Sequence, residues 1–147
     1  MGIIILIAVA AVIVVTLLLL VIKMLASPKK TDSIRKLLKQ GKTQSAIKLA
    51  KQIIAKNPKD YKAHYYLGRA YIQDNRAELA LMEFKFVNEN ALFGEELKEI
   101  PFRKELASMY RKFNQNEEAL RELLLLTKLD PNDSDVYFQT GEILLNA

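Results

Sequence analysis

One histidine, His64, and no cysteine make up the imidazole and thiol stock of this 147-residue chain. Thiol nucleophiles, a Cys/His zinc site and a multi-histidine site are therefore excluded, and no glycine-rich phosphate loop is present. Carboxylate pairs for acid–base work could be read in Glu95, Glu96 and Glu99, or in Glu117 and Glu118. These lie near turns or helix starts, where acidic side chains complement the helix dipole, and no constellation with assignable roles surrounds them. The expectation is a protein that is not an enzyme, with no catalytic residue, no metal and no cofactor. What remains is recognition by charge, and that depends on how the elements line up 22 Lys and Arg side chains.

Those elements recur. Gly68 and Gly141, and likewise Pro58 and Pro131, are 73 positions apart, two periods of 34 plus an insertion of five. Ala46 to Ala80 is one period of 34 and Ala80 to Ala119 is 39, so the insertion falls between the second and third units. Self-similarity at this length marks a repeat array. Within a unit, Leu67, Ala70 and Tyr71 share one helix face, as do Ala80, Phe84 and Val87 on the next helix. Each hairpin thus has an apolar stripe that only a stacked neighbour covers. Gly68 and Gly141 should permit close helix contact, since a glycine inside a helix costs about 0.5–1 kcal/mol against alanine and needs a packing reason. Asn57-Pro58 and Asp130-Pro131 should end second helices, because proline disfavours helical backbone in the residue before it. Gly41-Lys42, Asp74-Asn75 and Asn114-Gln115-Asn116 are the expected turns within hairpins, and the insertion, Phe93 to Glu99, either lengthens a helix or makes a longer loop.

The motif His64-x-x-Leu67-Gly68-x-x-Tyr71 followed by Ala80-x-x-x-Phe84 resembles the tetratricopeptide repeat, with His where that family often has Trp. The third unit keeps Leu106-Ala107-x-x-Tyr110, Ala119 and Asp130-Pro131, and the last half unit keeps Tyr137, Gly141 and Leu144. The resemblance implies an all-α solenoid of about three and a half helix hairpins over residues 27–147, with repeats at about 27–60, 61–94 and 100–133 and a half repeat at 134–147. His64 then packs rather than ligates. The family binds peptide segments in a concave groove lined by first helices. Carried over, those positions are Arg35, Leu38 and Lys39; Lys62, Tyr65, Arg69 and Ile72; Lys104, Ser108, Arg111 and Lys112; and Phe138. Such a groove would favour an acidic or C-terminal-carboxylate segment, with Arg and Lys as charge-assisted donors and Tyr65 and Phe138 as apolar anchors. The two-carboxylate clamp of chaperone-binding members is not matched, since Thr31, Arg35, Tyr66, Pro101 and Glu105 stand at its positions.

Ile3 to Ile22 carries no charge and one polar residue, Thr16. At ~1.5 Å per residue this run spans roughly the 30 Å hydrocarbon core of a bilayer. Residues 1–26 are therefore expected to be a single transmembrane anchor. A cleaved signal fits less well, because no Lys or Arg precedes the run and Met24-Leu25-Ala26 is a poor cleavage site. Without cysteine there is nothing to acylate as a lipoprotein. Residues 23–62 carry a net charge of +10 and residues 63–147 a net of −5, so the overall +5 conceals a strong dipole. Basic residues flanking a span stay cytoplasmic, which puts the short N-terminus outside and the repeats in the cytoplasm. Lys23, Lys29, Lys30 and Lys36 would lie against an anionic leaflet at ~1 kcal/mol for each lysine near the surface. Nucleic acid is not an expected partner, and the sequence leaves the oligomeric state open.

The function expected on these grounds is a membrane-anchored adaptor or scaffold that recruits a peptide segment of a protein partner at the cytoplasmic face. Two alternatives stand beside it: a structural subunit packing laterally through the repeat end or the anchor, and an extracytosolic, periplasmic repeat protein.

Overall fold

Beyond the helical residues 9–19, three hairpins and one further helix follow one another in the computed structural model, which describes residues 2, 9–19 and 30–146. The helices are α1 (Lys30–Lys39), α2 (Thr43–Lys56), α3 (Tyr61–Gln73), α4 (Ala77–Asn90), α5 (Glu99–Lys112), α6 (Asn116–Leu129) and α7 (Ser134–Leu145). There is no strand among the described residues. Each helix packs on the next along the chain, and α1 also touches α3. This is the all-α solenoid expected from the period.

Local chemistry sets the turns. Gly41, Asn75 and Asn114 have φ of 71°, 59° and 56°, the left-handed conformation that Gly and Asn adopt most readily at helix ends. In each, the following N–H donates to a carbonyl five residues back: Lys42 to Leu37, Arg76 to Tyr71 and Gln115 to Tyr110, at 3.0, 2.8 and 2.9 Å. With the companion bonds from Gly41, Asn75 and Asn114 to Leu38, Ile72 and Arg111, these are three Schellman closures that reverse the chain identically in every hairpin. Between hairpins, α2 stops before Asn57-Pro58 and α6 before Asp130-Pro131. Asp60 and Asp133 then cap α3 and α7, accepting from the Ala63 N–H and from the Asp135 and Val136 N–H groups. Each such cap is worth about 1 kcal/mol.

Small residues at the repeat positions let the helices close up. Ala46, Ala80 and Ala119 are fully buried on the second helices. A Cβ on Gly68 would lie 2.4 and 2.6 Å from ring atoms of Phe84, so the glycine is what lets that fully buried ring lie flat on α3. Gly141 differs from the expectation. Nothing lies within 4 Å of a Cβ built there, because no second helix follows α7 among the described residues.

The insertion makes a longer loop rather than a longer helix. Residues 91–98 separate α4 from α5, against four residues at 57–60 and at 130–133. Leu97 is buried, Phe93 packs on Phe102 with centroids 5.6 Å apart, and the Tyr61 hydroxyl donates to the Leu92 carbonyl at 3.1 Å. The loop is thus a packed wedge: α3 and α5 meet through side chains, Arg69 on Glu105 and Tyr65 on Phe102, without the close backbone approach of α1 and α3.

Residues 9–19 are helical, and their Val9, Val12, Ile13, Val14, Val15, Leu17, Leu18 and Leu19 are all more than half exposed. No helix among the described residues is long and apolar enough to cross a membrane. The expected span extends into residues 3–8 and 20–22, which lie outside the described residues, as do Lys23 and Lys29.

Candidate functional site

The first helices α1 and α3 present Arg35, Leu38, Lys39, Tyr65, Arg69 and Ile72 to one cleft of about 580 Å³, together with Tyr66, Gln73 and the linker residue Glu96. Leu38, Tyr65 and Ile72 are its apolar surface, and charged ends form its rim. Tyr65 packs in a triangle of rings, with centroids 5.8 Å from Phe84 and 6.2 Å from Phe102, which are 5.6 Å from each other. Two smaller cavities adjoin, one of about 190 Å³ between Asp32, Lys62 and Tyr66, the other of about 380 Å³ between Arg69, Pro101 and Glu105. Tyr65 and Glu96 line all three.

Electrostatically the expected cations are already engaged. Lys62 pairs with Glu96, Arg69 with Glu105 at 2.7 Å, Lys104 with Asp133, and Arg111 with Glu142 at 2.9 Å. Each bond joins a first helix to the element that begins or forms the next repeat, so the basic stripe is a ladder of ties between repeats. Arg35 pairs within its own helix with Asp32 at 3.1 Å. Lys39 and Lys112 make no ion pair among the described residues. The Glu96 carboxylate raises the Lys62 ammonium above its ordinary value, and Asp133 does the same to Lys104. Reciprocally, the Lys104 hydrogen bond lowers the Asp133 carboxyl. Burial pushes the Tyr65 and Tyr66 phenols up, keeping both as neutral donors in the cleft.

The sequence-derived set therefore divides. Arg35, Leu38, Lys39, Tyr65, Arg69 and Ile72 come together, with Lys62 in the adjoining cavity. Lys104, Arg111 and Phe138 line none of these three cavities; Lys104 and Arg111 are spent on ties to α7 and its cap, and Phe138 is 65% exposed on α7. Lys112 departs from the expectation. As the last residue of α5 it is turned a helical step, about 100°, from Arg111 and lines a separate cavity with Asn75, Leu79 and Phe113. Lys36 is exposed on α1, and Lys30 opens that helix with its side chain outside the described part. Tyr66, placed by the sequence only at an unmatched clamp position, lines the cleft, and sequence reasoning missed Gln73 and Glu96 there. Glu96 has no repeat equivalent, because it lies within the insertion between the second and third units.

His64 packs, as its motif position implies. Its ring stacks on Phe86 at 3.9 Å, with Nδ1 2.6 Å from Glu83 and Nε2 3.0 Å from the Pro58 carbonyl. In the third hairpin Arg103 takes the equivalent position and bonds to Glu99, Asn88 and Glu122 at 2.7, 2.9 and 2.7 Å.

Comparison with known proteins agrees with this architecture. Residues 31–84 match the tetratricopeptide repeat family. Among curated proteins, none matches the sequence. Among solved structures the chain is similar to YrrB, a TPR protein with an unusual peptide-binding site, at 19% identity and a TM-score of 0.67 over 80% of this chain. That match spans 58% of the length of YrrB. It is also similar to the Yersinia enterocolitica type III secretion chaperone SycD in complex with a peptide of the translocator YopD, at 16% identity and a TM-score of 0.60 over 80% of this chain and 92% of that one. The first TPR of Spaghetti (RPAP3) bound to the HSP90 peptide SRMEEVD matches at 15% identity and a TM-score of 0.60, over 80% of this chain and 89% of that one. At these identities the likeness is one of fold, and the fold is that of a tetratricopeptide array.

Proposed function

We propose that this protein is a membrane-anchored adaptor whose groove binds a peptide segment of a protein partner at the cytoplasmic face of a membrane. The observation that carries the reading is the cleft between α1 and α3, an apolar surface of Leu38, Tyr65 and Ile72 rimmed by side chains that can donate to a backbone or a carboxylate. The peptide-bound arrays that share its fold support the use of such a surface. Anchoring rests on the uncharged run from Ile3 to Ile22, and the cytoplasmic placement on the lysines that follow it. Tethering concentrates the groove where a membrane partner lies, so modest affinity suffices. The cleft holds no assignable catalytic set, and the function proposed is binding without catalysis.

Lateral packing is a second reading with its own observation. Tyr137, Gly141 and Leu144 repeat the positions of His64, Gly68 and Tyr71, which α4 covers, yet on α7 Tyr137 is 50% and Leu144 59% exposed. A photoreactive residue placed at Ile72, and separately at Tyr137, in native membranes distinguishes the two. Adducts to a discrete partner from Ile72 support the groove. Adducts from Tyr137 alone favour packing through the end of the array.

A further inference from the structure

The linker that widens the gap between the second and third hairpins also reaches into the groove. Glu96 stands at the boundary of all three cavities, tied across to Lys62. It cannot swing away as a free loop would, since its neighbour Leu97 is buried and Gly94 donates back to the Leu97 carbonyl at 3.0 Å. Beyond this wall the cations Lys104 and Arg111 are neutralised by the last helix and its cap. On the near side, Lys39 has no ion pair among the described residues, and Arg69 gives Glu105 only part of a five-donor guanidinium.

We infer that the linker 91–98 is a specificity-determining septum. It confines the ligand to the cleft between α1 and α3 and selects a short segment with a large apolar side chain next to a carboxylate. The inference rests on the groove reading above and deepens it. The cleft volume of about 580 Å³ lies within the range of small-ligand sites, about 300–1,000 Å³, and suits a few residues rather than an extended segment running the length of the array. The apolar side chain meets Leu38, Tyr65 and Ile72. The ligand carboxylate meets Lys39 and Arg69, and Glu96→Gln, by releasing the Lys62 ammonium, adds a cation beside the cleft.

The test uses the full chain in detergent micelles and a fluorescein-labelled peptide, Gly-Gly-Phe-Leu-Asp-Glu, beside its amide twin, Gly-Gly-Phe-Leu-Asn-Gln, and an array of unrelated peptides. Expected are roughly tenfold weaker binding of the amide twin, a similar loss in Lys39→Ala, a two- to threefold gain in Glu96→Gln, and no change in Lys104→Ala or Arg111→Ala. Helical circular dichroism of each variant guards against misfolding, and Lys39→Gln serves as a second, milder variant. Indifference to Lys39 and Glu96, or losses at Lys104 or Arg111, overturns the septum while leaving the groove in place. Failure of the acidic probe while other array peptides bind through Ile72 also overturns it. If no peptide of the array binds in an Ile72-dependent manner, the groove reading fails as well.

Discussion

Gly68 shows what a single residue decides in this array. Its missing side chain is the space that Phe84 fills, and Gly68→Ala should cost about 1–3 kcal/mol by overpacking. Gly141→Ala meets no neighbour and should be neutral or stabilising by up to about 1 kcal/mol, because alanine is the better helix former. Urea melts of the two variants should therefore move in opposite directions or by very different amounts; equal losses would refute the idea that the two glycines have parted roles. Arg103 is the second such residue. Its side chain is 12% exposed, and it holds Glu122, Asn88 and Glu99 together. Arg103→Met strands the Glu122 carboxylate at the core edge and should cost about 3 kcal/mol. Adding Glu122→Leu should recover much of that loss, which a double-mutant cycle measures.

At the scale of elements, the linker and the last helix carry the chain's own character. Leu97 is the buried foot of the linker, and Leu97→Ala should destabilise by about 2–3 kcal/mol while leaving overall helix content unchanged in circular dichroism. The same variant should loosen the septum and reduce discrimination between acidic and neutral peptides. The last helix is held in part by Asp133, which caps α7 and pairs with Lys104. The Asp133 carboxyl is lowered in the folded protein, so its contribution to stability is full above the ordinary carboxylate pKa and is lost as pH falls through the lower, folded value. Thermal melts of wild type and Asp133→Asn should differ at neutral pH and converge in acid. A constant gap across that range would rule out the carboxylate as the cause. The turns of this array, by contrast, were legible in advance, because Gly41, Asn75 and Asn114 close each hairpin with bonds spanning no more than five residues.

For the whole molecule, the governing feature is a charge dipole, +10 over residues 23–62 and −5 over residues 63–147. If the apolar N-terminal run anchors the chain, the basic end lies nearest the bilayer and the acidic end points away. Full-length protein should resist alkaline carbonate extraction from membranes, whereas residues 27–147 should be released. That shorter piece should still associate with vesicles containing phosphatidylserine at low salt and lose them as ionic strength rises, since exposed charges are screened beyond about 8–10 Å. Equal binding to neutral vesicles would contradict this account. Internally, the same opposition of charge is used in close contact, because the ties from Lys62, Arg69, Lys104 and Arg111 each reach an acid further along the chain, in the linker, the α7 cap or the next first helix. The array is stitched along its inner face.

The sequence by itself determined the period, the helix faces, the hairpin turns and the proline stops, because these depend on residue type and on spacing within one or two turns of chain. The resemblance it carries also put Tyr65, Arg69 and Ile72 on one surface, which their spacing of four and three residues on a single helix allows. Only the tertiary structure decided which cations stay unspent and which residues line the cleft. Those outcomes depend on reach between side chains 29 to 36 positions apart, as in Lys104 to Asp133 and Arg69 to Glu105, and on how eight linker residues pack between two hairpins. Charge and period are written locally; the pairing of one charge with another is fixed by the stacking geometry that brings neighbouring repeats together.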